Sequence, residues 1–304
     1  MTNVIPQFPN FKKLQLADHL AIESFTQSFL PYSDYNFTSL WIWNVKDEIQ
    51  LSQLEENLIV RFTDYFTGKP FYSFLSRHLS QEALNQLFAF VDNKGLKKKL
   101  RLVPEECING IRADQFTIKE DPNNFDYILS IPELMTYRSH ALRGKRNFVN
   151  RFRKLYRSTT NECDLNDPDV QTMIQELFSF WAKQKGFNTQ ETDEFLPFHR
   201  LLKHAKSFQL ITIGIFVNKQ LIGFSISEVV GKSYALLHFE KADAISFTGV
   251  YPYLRQETAR ALATRGCQYL NLEQDAGLPG LREAKKGYYP CQILKKYTVT
   301  PLSR

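Results

Sequence analysis

The chain has 304 residues, 43% of them hydrophobic and 23% charged, which suits a folded globular protein and excludes a disordered chain, a collagen and a long coiled coil. The net charge of +6 is unevenly placed: residues 134–161 hold no acid and eight bases, Arg138, Arg143, Lys145, Arg146, Arg151, Arg153, Lys154 and Arg157, so the remainder is slightly acidic. No run of about 18 apolar residues predicts a membrane span, and Met1 to Lys13 lacks the apolar centre of a signal peptide.

Aromatic residues make up 14% of the chain, enough for a sizeable core. Cys107, Cys163, Cys267 and Cys291 are scattered without a Cys-x-x-Cys pair, so reduced thiols are expected, with no metal site. The expected location is the cytoplasm, with a peripheral place at the inner membrane surface left open.

In chain order, 57–65 and 70–75 read as strands around the turn Thr67-Gly68-Lys69. A helix at 81–92 follows, capped by Ser80 and stopped at Gly95, then a short strand at 99–103. The bases Lys94, Lys97, Lys98, Lys99 and Arg101 read as a solvated turn before that strand.

The next helix, 144–157, carries the basic excess. Its spacing puts Lys145, Phe148, Phe152 and Leu155 on one side, the Lys145 stem lying along apolar surface. Arg146, Asn150, Arg153 and Arg157 form a second stripe, with Asn147, Arg151 and Lys154 beside it. Like charges at this spacing repel by a few tenths of a kcal/mol per pair. A helix that stacks them suits a polyanion, either nucleic-acid phosphates or lipid headgroups. Carboxylates elsewhere in the fold are the alternative partners.

Helices are expected at 169–185 and 191–204, then strands at 208–217, 221–229 and 233–239, a helix at 250–265 and a strand at 268–272. The rhythm of the first half thus recurs in the second. It predicts an α/β (α+β) chain of two lobes, 1–125 and 126–304, each a mixed, mainly antiparallel sheet flanked by helices.

Two polar runs end strands. Glu273 and Asp275 would share a face if the chain stays extended, and Arg282 and Lys285 follow one helical turn apart. Two carboxylates so placed could bind an ammonium group, or one could act as a base. In the second run His238 and Glu240 share a face and Lys241 takes the other unless a bulge intervenes. A charged loop and a hydrogen-bonded structural histidine are the plain alternatives. No nucleophile elbow, Walker loop or dinucleotide fingerprint is present.

The hairpin at 214–225 has a form found in N-acetyltransferase-like (GNAT) folds, whose splayed strands admit an acyl donor. A coenzyme A pyrophosphate would need glycine-rich backbone at the next helix start. The matching stretch, 245–251, has one glycine, Gly249, and the bulky Tyr251, which disfavours acetyl-CoA or another acyl-CoA as donor.

Four ordered motifs carry a wider resemblance. They are Pro31-Tyr32-Ser33-Asp34-Tyr35 continuing to Trp41 and then Asp126-Tyr127; Lys145-Arg146-Asn147; His238-Phe239-Glu240-Lys241; and Glu273-Gln274-Asp275 running to Lys285 and Tyr289-Pro290. The chain resembles bacterial proteins grouped with the C-terminal catalytic domain of phosphatidylglycerol lysyltransferases. Ser139 and Leu272 depart from the family pattern, and the family's membrane-embedded portion has no counterpart in these residues, leaving the lipid acceptor open.

The resemblance implies a tandem GNAT-like fold and an aminoacyltransferase. It would move an aminoacyl group from charged tRNA, as co-substrate, to a lipid headgroup or another hydroxyl or amine. Alternatives are an acyl-CoA-dependent N-acyltransferase and a non-catalytic tRNA- or anionic-lipid-binding module. On the first reading His238 or Glu240 takes the acceptor proton, and Glu273 and Asp275 hold the donor's ammonium. Lys241, Arg282 or Lys285 steadies the developing negative charge. Arg146, Asn147, Asn150, Arg153, Arg157 and Tyr251 bind substrate.

Overall fold

A computed structural model describes residues 4–64 and 67–302; Tyr65, the expected end of one strand, lies outside the described residues. The chain begins with β1 (Lys12–Lys13), α1 (His19–Thr26), α2 (Phe37–Trp43), β2 (Gln50–Leu54), β3 (Asn57–Thr63), β4 (Pro70–Leu75), α3 (Gln81–Asn93), β5 (Leu100–Pro104) and β6 (Phe116–Glu120). It continues through β7 (Asp126–Ser130), α4 (Ile131–Thr136), α5 (Arg143–Leu155), β8 (Ser158–Cys163), α6 (Pro168–Gln184), α7 (Phe195–Lys203), β9 (Leu210–Val217), β10 (Gln220–Val230) and β11 (Tyr234–Ala242). The last elements are α8 (Val250–Ala263), β12 (Tyr269–Asn271), α9 (Pro279–Lys286), β13 (Gln292–Leu294) and β14 (Lys296–Pro301).

Two seven-stranded sheets result, in the orders β1-β2-β3-β4-β5-β14-β6 and β13-β7-β12-β11-β10-β9-β8. The internal pattern is the same in both. Three antiparallel strands, β2-β3-β4 or β9-β10-β11, lead through a helix, α3 or α8, to a strand that pairs parallel with the third. A further antiparallel neighbour, β14 or β7, then flanks that strand. These are the two mixed sheets that the sequence rhythm predicts.

The division of the chain differs from the expected single cut between 125 and 126. One compact unit runs to Asp126 and also takes 274–279 and the chain from Ile293 onward; the other comprises 127–273 and 280–292. The physical reason is the pairing of β14, whose Val299 lies opposite Leu100 of β5 on one side and Ile118 of β6 on the other.

Local chemistry explains the helix boundaries. The Ser80 side chain accepts from the Ala83 N–H and starts α3, which buries Ala83, Leu84, Leu87, Phe88 and Val91. The Asp167 side chain accepts from the Asp169 N–H at the start of α6, where Pro168 loses no helical hydrogen bond. The expected helix at 191–204 begins later, at Phe195, after a 3-10 turn at Thr189–Glu191.

The face of α5 also differs from expectation. Val149 and Phe152 are buried, whereas Phe148 and Leu155 are 47% and 54% exposed. Phe152 stacks on Tyr253 of α8, with ring centroids 4.5 Å apart, and so draws the helix round. Gly249 permits this approach. It caps α8 with φ 89°, and a Cβ there would stand 2.5 Å from the Phe148 carbonyl oxygen. Gly249→Ala is therefore expected to lose at least about 2 kcal/mol in urea denaturation, from the positive φ and the clash. Gly144→Ala, inside α5 with nothing within 4 Å of the added carbon, is expected to gain up to about 1 kcal/mol.

Candidate functional site

The second unit gathers most of the expected site residues around β11. The β10–β11 ladder pairs Ile226 with Phe239 but Ser227 with Leu237, so His238 is an inserted residue, a β-bulge. The bulge breaks the alternation that would put His238 and Glu240 on one face. Glu240 lies opposite Ser225, which bonds Thr258 of α8, and Glu240 itself is bound by Arg255 of the same helix. His238 instead sits between two carboxylates: Nδ1 is 3.0 Å from Glu273 and Nε2 is 3.1 Å from Glu228.

His238 is therefore a buried cation rather than a free base. Burial opposes its charge, but the hydrogen bonds to Glu228 and Glu273 and their negative charges outweigh it and raise the pKa to about 9. With both ring nitrogens engaged, His238 offers none to a metal or to an acceptor proton.

Glu240 is likewise occupied. Arg255 Nε donates to its Oε1 at 3.2 Å and Nη2 to Oε2. The Arg255 guanidinium lies 4.2 Å from the Tyr288 ring centroid, and Lys145 Nζ lies 4.2 Å from the same centroid. Burial and Glu240 push the Tyr288 hydroxyl up to about 12, Arg255 opposing, and burial holds Tyr137 well above the usual tyrosine value. Lys241 is buried against Glu194 and lies 4.1 Å from the Trp181 ring, so its charge is already partnered.

The extended run that a shared face of Glu273 and Asp275 depends on is broken at Glu273, which has φ 59° and whose N–H donates to Asn271 Oδ1. Asp275 belongs to the first unit, where it is fully buried and accepts from the Gly277 N–H at 2.8 Å. Lys285 Nζ donates to the Leu272 carbonyl at 2.6 Å, and Arg282 is half-buried on α9.

The basic helix separates into tied and untied groups. Arg146 donates to the carbonyls of Tyr137 and Arg138 at 2.9 and 3.1 Å, closing the end of α4. Arg153 donates to Gln256 and Glu257 of α8. Asn147, Asn150, Arg151, Lys154 and Arg157 are exposed, as is Arg143, and none of these four cations forms an ion pair with a described residue. Tyr251, half-buried, accepts from the Ala242 N–H at 3.3 Å and keeps its proton, since burial and Glu240 raise its pKa.

Sequence reasoning missed Glu228, Arg255, Tyr137 and Tyr288, because each draws its role from a strand or helix remote in the chain. It also missed a fully buried cluster in the first unit. There Lys296 Nζ donates to Asp126 Oδ1 at 2.7 Å and pairs with Asp34, and Ser33 Oγ donates to Asp126 at 2.7 Å. Burial drives Asp34 up to about 6, with Lys296 limiting the rise. Asp34 and Asp126 stood in the quoted motif but without a role.

The family model described as phosphatidylglycerol lysyltransferase, C-terminal, matches residues 27–300. No curated protein matches the chain by sequence. Among solved structures, a conserved protein of unknown function from Bacteroides thetaiotaomicron superposes with a TM-score of 0.84 at 25% identity, covering 98% of this chain and 100% of that one. The structure described as L-PGS from Bacillus licheniformis gives 0.62 at 12% identity, covering 99% and 95%. FemX gives 0.62 at 10% identity, covering 96% and 97%. The fold is the tandem GNAT-like one. No helix among the described residues is long and apolar enough to cross a membrane.

His238 makes stability depend on pH. Its folded pKa of about 9 lies above the ordinary 6.5, so its contribution is complete below pH 6.5 and is lost as pH rises through 9. The loss is expected to be about 3 kcal/mol. Urea midpoints measured from pH 6 to 10 should fall across that window in the parent protein, whereas His238→Gln should start lower and show a flatter profile.

Proposed function

The chain belongs to the family of the phosphatidylglycerol lysyltransferase C-terminal domain, an aminoacyltransferase family, and from that membership we propose that it transfers an aminoacyl group from charged tRNA to a hydroxyl or amine acceptor, with an anionic lipid headgroup as one candidate. The observation that carries the choice of donor is the closed N-terminus of α8. A coenzyme A pyrophosphate would need bare backbone N–H groups there. Instead Gly249 abuts the Phe148 carbonyl and Tyr156 Oη donates to the Ser246 carbonyl at 3.1 Å, so α5 and its following residue already occupy that approach. These contacts favour charged tRNA over an acyl-CoA as the donor.

The exposed face of α5 supports the tRNA reading. Arg143, Arg151 and Lys154 lack carboxylate partners among the described residues, as does Arg157, which the spacing places on the helix but which follows its end at Leu155, and Asn147 and Asn150 lie exposed on the same helix. Such a surface is held apart by self-repulsion and gains most when phosphates neutralise it.

The ester to the tRNA ribose is already activated. The acceptor oxygen or nitrogen bonds to the ester carbonyl carbon, and the bond to the ribose oxygen breaks as the acceptor's proton passes to the leaving hydroxyl. The protein's work is to position the reactants and to donate to the transient oxyanion. Tyr251, with a proton to give, is the donor we assign. The Glu228–His238–Glu273 group carries one negative charge in excess when His238 is protonated, which suits the ammonium of the aminoacyl donor. Because Glu240 and Lys241 are already paired, they act by holding α8 and Glu194 in place rather than as base and oxyanion donor.

Incubation with a pool of charged tRNAs, each amino acid followed by mass spectrometry, should deplete one aminoacyl-tRNA once an acceptor is supplied. Tyr251→Phe should slow that turnover by about 100-fold, while the lost hydrogen bond from the Ala242 N–H lowers stability by only about 1 kcal/mol, too little to unfold the protein under assay conditions. The pair Arg151→Glu and Lys154→Glu should weaken tRNA binding and reduce its salt slope by about 2. Saturable coenzyme A binding together with intact charged tRNA in the presence of acceptors would overturn the reading.

A further inference from the structure

Two bases of α5 are half-buried with no carboxylate ion pair among the described residues: Arg146, which two backbone carbonyls satisfy, and Lys145. Its neighbour Arg255 has already taken both oxygens of Glu240. Two cations and one carboxylate therefore surround the Tyr288 ring, which lies 4.2 Å from each cation. A net positive charge in a half-buried place is poorly offset by water and calls for an anion. Gly287 adds no side chain beside the ammonium, where a Cβ would be in van der Waals contact with Lys145 Nζ at 3.7 Å.

We propose that Lys145, backed by the Arg255–Glu240 pair and the Tyr288 ring, is a phosphodiester subsite for the RNA end that carries the aminoacyl group; this deepens the transferase reading and rests on it. The subsite is distinct from the exposed bases of α5, since Lys145 lies on the half-buried side of that helix with Val149 and Phe152. Several observations favour RNA over a lipid headgroup. Arg143, Arg151 and Lys154 lie on the opposite, exposed side of the same helix, spread over roughly 16 Å at about 1.5 Å per residue, so a ligand that meets them as well as Lys145 carries several phosphates. That length matches several successive phosphates rather than one headgroup. An ammonium held over an aromatic ring, beside a second cation, also suits a nucleotide, which brings a planar base and a phosphate together.

The electrostatics agree. Burial and then the Arg255 charge lower the Lys145 pKa, against Glu240. A bound phosphate would reverse that balance and raise it.

The test uses an uncharged minihelix RNA ending in CCA, so that binding is read without any transfer step. Lys145→Gln should weaken its Kd by about 10-fold or more, the loss of one charge-assisted contact. Lys145→Arg should stay within about threefold of the parent. Lys97→Gln, exposed on the α3–β5 turn, should bind as the parent does. In the unsubstituted protein, isotope-labelled dimethyl-lysine spectra should show the Lys145 titration midpoint rising when the RNA is added, a readout that needs no variant to fold. Parent-like RNA binding by Lys145→Gln, or a Lys145 midpoint that RNA does not move, would overturn the proposal. So would a loss confined to phosphatidylglycerol vesicles, which would place a lipid there instead. Absence of aminoacyl transfer with the RNA result intact would count against the transferase reading alone.

Discussion

Lys296 is the constraint on which the first unit depends. A fully buried ammonium is held by Asp34 and Asp126, with Ser33 and Gln274 also in reach, so four separate stretches of chain meet at one charge. Such a cluster adds little net energy over an apolar one, but removing either sign leaves an uncompensated charge at a cost of several kcal/mol. Its value is in specificity. Lys296 is the first residue of β14, and side chains alternate along a strand, so a slip of one residue would withdraw the ammonium from both acids. The register of β14 against β5 and β6 is thereby fixed by electrostatics as well as by the ladder.

The second unit uses charge differently. Its polar groups form three closed sets: His238 between Glu228 and Glu273, Arg255 with Glu240, and Lys241 with Glu194. The bulge at His238 sorts them onto different sides of β11. Each set immobilises its members; the His238 set leaves a negative charge in excess, and Lys145 stands as a further cation beside the Arg255–Glu240 pair. Under the proposed function, a site built this way would meet a partner with an ammonium and a phosphate through fields fixed before the partner arrives.

The central elements could be read from sequence because their signals are local. Ser80 and Gly95 bracket α3, and the Asn218-Lys219 turn, both residues at positive φ, marks the β9–β10 hairpin. The edge strand β8, with the sequence Ser-Thr-Thr-Asn-Glu-Cys, has no apolar alternation to betray it, and β7 and β14 are recognisable as strands only by their remote partners. The site was legible in its residue types more than in its geometry. His238, Glu240 and Glu273 stood out by chemistry, but a one-residue bulge and a positive φ at Glu273 altered what each could touch. The linear pattern shows Lys145 only as an apolar stem, because nothing in it reveals that Arg255 and Tyr288 stand beside it.

The place of β14 in the first sheet has a consequence for synthesis on the ribosome. β6 is joined to that sheet through β14 and not through β5. Until the last residues emerge, β5 has an unfilled edge and β6 has no partner in the sheet. At roughly 5–20 residues per second, the interval between the two strands is on the order of ten seconds or more. During that time an exposed strand edge, the kind of surface that pairs with other chains, is available in the nascent protein. Folding of the first half is therefore timed by the completion of the second, and a chain that stops short of Lys296 forfeits both β6 and the ion cluster.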